Sequence, residues 1–513
     1  MSGVEMLLLL AGSLVVTAAS RRYKIPGPLV LLAAGLAVSF IPGLPAFDID
    51  PELTLALILP PLLYSASLES SYVNLRANIR PIALLAVGLV LVTAAAVGLT
   101  AYWLLPSLSL PAALVLGAIV APPDAVAATA IGRRLGLPRK LMTLLSGESL
   151  GNDATALTTY KVAVAAAIGT GFSFGRGLWM FALATAGGIV IGLVIGYLVH
   201  QVRMRIGDPI LESAMGLLVP FGAYLIAEDL ETSGVLAVVT AGLYLGHNST
   251  KAGYATRLQD AAVWDAVKML LESMVFALIG LQLRNAVEAS GVSVSVFLVA
   301  LVLLVVTIVV RIAWLFPATY IPRLLLRRND PRPSWRHVTV LSWAGMRGVV
   351  SLAPAVGLPI AMAADQRGVI LLCAFVVTVG TLVLQGLTLP WLINRLGVEG
   401  NEEHEDRLAE AQIRHTAAKR SIDRLDELDQ TGKHTKLIDR LRAAAELRAN
   451  GVWEQLGRQD EETPMSKFRR IRREMIKVER TTFIEARDNG DIDDEVFRRV
   501  QRELDEDEAS LDR

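Results

Sequence analysis

Residues 141–168 read LMTLLSGESLGNDATALTTYKVAVAAAI. That is the length of a membrane-spanning helix, because roughly 20 mostly apolar residues cross roughly 30 Å of hydrocarbon. Yet Glu148, Asn152 and Asp153 lie inside it. A charged side chain near the bilayer centre costs about 2.5–3.5 kcal/mol on the insertion scale, and such groups mark ion or proton paths. Glu148 and Asn152 are four residues apart, as are Ser149 and Asp153. On a helix the two pairs therefore stack on adjoining strips of one side. That side gathers acid, amide and hydroxyl oxygens, which a hard cation such as sodium requires by the same logic as calcium and magnesium sites.

The rest of the chain has the composition such a helix needs around it. Of 513 residues, 53% are hydrophobic, and the mean hydropathy is +0.48. These values exclude an ordinary soluble enzyme and indicate a multi-spanning membrane protein. A single cysteine, Cys373, excludes an internal disulfide framework. The formal net charge is zero, but residues 401–513 hold 29 acids against 23 bases, and the remainder 20 against 26. The first apolar segment lacks a basic flank before it and reads as a spanning helix, not a cleaved signal peptide.

Apolar runs bounded by turn signals fall near 3–20, 27–43, 51–68, 80–105, 110–131, 141–168, 176–200, 209–227, 233–247, 264–284, 293–317, 336–361 and 368–396, which predicts thirteen spans. The connections alternate sharply in charge. One set, from RRYK (21–24) to PRLLLRRNDPRPSWR (322–336), carries 18 basic residues; the other has only Arg176, Arg284 and Arg367. The basic side is cytoplasmic by the positive-inside rule. The amino terminus is therefore expected outside and the carboxyl terminus inside, as an odd number of spans requires.

The fifth run, LPAALVLGAIVAPPDAVAATAIG, contains Pro122 and Pro123, which remove two backbone donors, followed at once by Asp124. It reads as a helix broken within the membrane, with Asp124 at the positive end of the second half. The bland alternative is a proline kink beside a buried acid. The twelfth run has a comparable interruption at Gly345, Arg347, Gly348 and Pro354, with Arg347 placed to offset the negative end of a first half-helix. Two broken helices in corresponding positions of inverted halves point to a transporter's binding site. The tenth run buries Glu272 beside Ser273, with Lys268 one turn earlier as its expected partner. The eleventh carries Arg311, which requires a carboxylate; Glu148 and Glu272 are the candidates. For both acids a fixed ion pair between helices competes with direct ion binding. Lys161 is either a second counter-charge to Asp153 or a lysine reaching toward the outer surface.

After Gly397 the composition turns to Arg, Glu, Asp and Leu, and helical runs are expected near 402–429, 434–457, 465–487 and 492–511. Leu408, Ile413, Ile422, Leu425 and Leu428 form an apolar stripe. The basic stretch KFRRIRR (467–473) has the charge to touch anionic headgroups. This segment reads as a cytoplasmic helical tail, either a small domain or an oligomer contact, without nucleotide, zinc or nucleic-acid motifs.

PPDAVAATAI, then GRRLGLPRKLMTLLSGESLGNDATAL, then SWAGMRGVVSLA, with LILPPLLYSASLE earlier in the chain, resemble the monovalent cation:proton antiporter family. That family includes the NhaP-type bacterial antiporters and the animal sodium–proton exchangers. The likeness covers roughly residues 1–396 and is weak over the tail. It implies an all-α polytopic transporter and a homodimer, with no cofactor beyond the transported sodium and proton. It also implies a mobile core domain (spans near 80–168 and 293–396) beside a scaffold and dimer domain (spans near 1–68 and 209–284). Within residues 1–397, the resemblance assigns sodium and proton binding to Asp153, with Asn152 and Asp124 beside it, and a structural ion pair to Glu148 and Arg311. Many members have Thr before the span-five Asp and use its backbone oxygen on the ion; here Pro123 stands there and still offers a carbonyl. Ser149 and the Asn152 amide are further oxygen donors, and Arg347 and Glu272 give electrostatic support. Because Asn152 is neutral where electrogenic relatives have a second Asp, one cation per proton is expected. The rival readings are potassium–proton exchange, a passive cation channel and, last, a membrane-embedded sensor.

Overall fold

The computed structural model describes residues 3–23, 25, 27–41, 51–169, 174–289, 294–325, 333–348, 354–355, 357–359, 362–398, 400, 402–428, 438–443, 445–446, 464–489, 491–492 and 494–511. The chain divides into two compact units, Met1–Gly400 and Asn401–Arg513. Among the described residues there are helices and connections but no strand. Hydrocarbon offers no partner for a backbone N–H or C=O, so a chain this apolar satisfies those groups within helices.

Each of the thirteen apolar runs contains a helix. In order these are α1 (Gly3–Tyr23), α2 (Gly27–Ser39), α3 (Pro51–Glu69), the short α4 (Tyr72–Ala77) and α5 (Ile79–Ala83), then α6 (Val90–Leu104), α7 (Leu110–Val120), α8 (Ala125–Arg134) and α9 (Arg139–Ala167). After these come α10 (Phe174–Ile206), α11 (Pro209–Asp229), α12 (Gly234–His247), α13 (Tyr254–Ala289), α14 (Val294–Leu325), α15 (Trp335–Trp343) and α16 (Ala364–Leu396). A π-helical stretch, Leu84–Leu89, joins α5 to α6 and was not signalled by the hydropathy pattern. Six helices among the described residues are long and apolar enough to cross a bilayer, and four shorter apolar ones accompany them. Apolar side chains such as Trp179, Leu183, Leu198, Phe297 and Val305 stay exposed on α10 and α14. In a soluble protein such surfaces would be an aggregation liability; here they face lipid.

The helices pack through small residues, as membrane helices do. Gly35 of α2 and Gly280 of α13 sit backbone to backbone, and a Cβ on either would collide with the other helix. Local signals set the helix ends: Ser109, Ser233 and Ser334 cap α7, α12 and α15, and Gly397 terminates α16 in a left-handed turn at φ 59°.

The second unit contains α17 (Glu402–Leu428), α18 (Pro464–Asp488) and α19 (Asp494–Leu511). The helix expected over 434–457 lies largely outside the described residues. α18 and α19 form a hairpin whose small core is Ile476, Leu504 and Leu511, with Phe483 and Val500 against it. Arg472 reaches Asp507 at 2.8 Å, and Arg480 reaches Asp505 at 2.7 Å. Of the stripe expected on α17, Leu408 and Ile413 are exposed.

Candidate ion-binding site

Two helices stop inside the first unit. α7 ends at Val120, and Ala121 to Asp124 are not helical before α8 begins. Pro122 and Pro123 lack the amide hydrogens that would have carried α7 onward. α15 ends at Trp343, and residues 344–348 are likewise unwound; residues 349–353 of the quoted motif lie outside the described ones. The two interruptions meet. The Asp124 amide donates to the Met346 carbonyl at 2.6 Å. A Cβ on Gly348 would run into the Asp124 carboxylate, so the approach of the two segments depends on glycine there.

Asp124 is the N-cap of α8, its Oδ1 accepting from the Val126 amide at 2.8 Å. Its charge therefore sits at the positive end of that half-helix. Arg347 is fully buried. Its Nε donates to the Val120 carbonyl at 2.9 Å, its guanidinium also to the Gly345 carbonyl, and its amide to Thr381 Oγ1 at 3.0 Å. The negative helix end that it meets is thus that of α7 as well as the turn after α15.

α9 lays the acid–amide face against this crossing. Asn152 is fully buried and donates through Nδ2 to the Pro123 carbonyl at 2.6 Å. Among the described residues its Oδ1 is buried without a hydrogen-bond partner, an unusual state for a buried carbonyl oxygen. The Pro123 carbonyl thereby spends one of its two lone pairs on Asn152 and, among the described residues, keeps the other. Asp153, 5% exposed, lines a pocket with Ala118, Ile119, Pro122, Tyr160 and Pro354. Its cavity volume is about 10 Å³, the space of about one water molecule. Asp153 and Asp124 lie near enough for their charges to interact. Ser149 opens elsewhere, onto a cavity of about 320 Å³ that Val126, Thr129, Glu69 and Glu272 also line.

Arg311 of α14 grips Glu148 with both terminal nitrogens, at 2.5 and 2.9 Å, and donates to the Leu341 carbonyl at 3.1 Å. Both side chains are sealed from solvent. α9, α14 and α15 are thus tied together one turn before Asn152.

The expected Lys268–Glu272 pair is not formed. Lys268 Nζ bonds Glu69 of α3 at 3.0 Å, and Glu69 also takes Arg133 of α8 at 3.1 Å. Helical spacing relates Lys268 only to neighbours on α13, and a better-placed carboxylate from α3 takes the lysine instead. Among the described residues Glu272 keeps a buried Oε1 without a partner. Glu69, Arg133, Lys268 and Glu272 line both the 320 Å³ cavity and one of about 610 Å³. Lys161 bonds Glu228 of α11 at 2.8 Å, so its counter-charge is Glu228 and not Asp153. Sequence reasoning assigned no role to Glu69, Thr381 or Tyr160. Tyr160, two turns after Asp153 on the same face, donates to the Pro354 carbonyl at 3.2 Å; helical period alone would have found it.

An all-helical unit of bilayer-length spans, with two unwound segments crossing beside buried carboxylates, is the architecture of a multi-pass secondary transporter. The chain belongs to the sodium/hydrogen exchanger family: the model "Sodium/hydrogen exchanger, transmembrane" matches residues 7–395. An uncharacterized Na(+)/H(+) exchanger of Mycobacterium tuberculosis is 33% identical over 528 residues, covering 99% of this chain and 96% of that one. The Na(+)/H(+) antiporter ApNhaP of Aphanothece halophytica is 34% identical over 407 residues, covering 79% and 76%. The fold is that of the sodium proton antiporter MjNhaP1 from Methanocaldococcus jannaschii, with a TM-score of 0.61 at 20% identity over 76% of this chain and 97% of that one.

Proposed function

We propose that the protein exchanges sodium for protons across the plasma membrane, one for one, and that Asp153 is the carboxylate for which the two compete. The observation that carries this reading is the buried Asp153 beside an unpartnered Asn152 oxygen, at the crossing of two interrupted helices. Asp124, the remaining lone pair of the Pro123 carbonyl and the Asn152 Oδ1 supply further oxygens around a desolvated cation, and Ser149 stands on the approach from the larger cavity. A bare carboxylate in low dielectric is costly, so only the sodium-loaded or protonated site moves readily between the two faces. The core near 80–168 and 293–396 carries the site past a scaffold near 1–68 and 209–284, which also holds a homodimer. The amino terminus lies outside and the 398–513 tail in the cytoplasm. The physiological role is regulation of internal pH and sodium.

Asn152 contributes no second negative charge, so each full cycle moves one positive charge in each direction and none net. Everted vesicles test both parts. Added sodium is expected to drive proton efflux at a rate that does not change when the membrane potential is clamped. Potential-dependent flux would overturn the one-for-one ratio, and sodium entry without proton movement would make the protein a passive channel. Adding potassium or lithium separately reads the selectivity.

A further inference from the structure

Among the described residues, the hairpin of the second unit leaves one face of α18 uncovered. Ile476 and Phe483 point into the hairpin core, whereas Phe468, Ile471, Met475 and Val478 are exposed, each about half or more. Their spacing of three, four and three residues is that of a coiled-coil seam, with Phe468 and Met475 at a, Ile471 and Val478 at d, and Thr482 at the next a. The edges of this seam are not uniformly basic. Lys467, Glu474 and Asp488 fall at g; Arg472 and Glu479 fall at e. An anionic bilayer surface attracts the bases of KFRRIRR but meets Glu474 and Glu479 along the boundary of the apolar stripe, where an interfacial helix carries Lys and Arg.

The charges instead select a partner that carries the same pattern. We propose that α18 pairs with α18 of a second copy of this chain, antiparallel, with Met475 against Val478 of the partner and Ile471 against Thr482 of the partner. A parallel pair sets g against e: Lys467 meets Arg472 and Glu474 meets Glu479, both repulsive. An antiparallel pair sets e against e and g against g. In the stated register Arg472 then meets Glu479, and Lys467 meets Asp488. The alternative antiparallel register, one heptad over, brings Arg472 onto Arg472 and Glu474 onto Glu474. Within one chain Arg472 already reaches Glu479 at 3.0 Å along the seam's edge. Pairing therefore extends an existing ion pair into a four-membered network instead of desolvating lone charges.

The geometry gives a test in the full-length protein. Successive residues of a helix rise about 1.5 Å, and a disulfide needs Cα atoms within about 7 Å. In the proposed register residue 475 lies close to its own mate, while residue 468 lies roughly 26 Å from its mate, seventeen residues along the helix. In native membranes, with Cys373 replaced by Ala, Met475→Cys is expected to give a disulfide-linked dimer on mild oxidation and Phe468→Cys none. Equal cross-linking at both positions would mean a parallel pair and overturn the proposal. A fluorophore at position 475 whose emission shifts with the phosphatidylglycerol content of proteoliposomes, with no disulfide formed, would assign the face to the bilayer and also overturn it. As a check on the charge register, Arg472→Glu is expected to weaken cross-linking at 475, and Arg472→Glu with Glu479→Arg to restore it.

Discussion

Asp153→Asn is expected to reduce sodium-driven proton movement in everted vesicles to background, with the amount of folded protein in the membrane unchanged. The substitution keeps the shape of the side chain and removes only its capacity to bind a proton or a cation in exchange. No hydrogen bond to the Asp153 carboxylate occurs among the described residues, so the fold loses no partner when the charge goes. Removal of a buried, unpaired charge from a low-dielectric site relieves a cost of several kcal/mol. Loss of transport with intact folding is therefore the signature of a binding group and not of a structural one. Full exchange by the variant would refute the assignment.

The opposite signature is expected one turn earlier on α9. Glu148→Gln or Arg311→Met strands one member of a sealed ion pair, which costs about 3–5 kcal/mol. That is a large part of the roughly 5–15 kcal/mol that holds a typical domain folded. Each single variant should accumulate poorly and lose several degrees or more of thermal stability in detergent. The exchanged pair, Glu148→Arg with Arg311→Glu, should recover part of the loss. Recovery stays partial because Arg311 also donates to the Leu341 carbonyl, which a glutamate does not replace. Single neutralisations with wild-type stability and transport would remove the structural role.

These two outcomes separate groups that the chain's order places side by side. The thirteen apolar runs, the break at Pro122–Pro123 and the acid–amide face of α9 are all visible in the residues, because each rests on local chemistry: hydropathy, a missing amide hydrogen, helical period. What escaped is what depends on residues distant in the chain. Helical spacing pairs Lys268 with Glu272 because both lie on α13, while its bond goes to Glu69, 199 positions away. The sequence sets Arg347 at the end of a half-helix, but no local rule says that Val120, 227 positions earlier, is the carbonyl it meets. The Asn152 bond to Pro123 had no signal either, since amide and carbonyl become neighbours only when α9 crosses the break after α7. The π-helical stretch at Leu84–Leu89 was illegible for a different reason: its composition is that of any apolar helix. In the tail the opposite held. The charge pattern of α18 was legible residue by residue, but which of its apolar residues remain uncovered follows only from the hairpin with α19.

One buried carboxylate, Asp153, is proposed to serve two ions in turn. Titration calorimetry of sodium binding to the purified protein, run in two buffers of different ionisation enthalpy, counts the protons released per sodium bound. Competition at Asp153 predicts about half a proton released per sodium at the midpoint of its titration, rising toward one at lower pH, and none in Asp153→Asn. Sodium binding that releases no proton at any pH, with both ions held at once, would contradict the account.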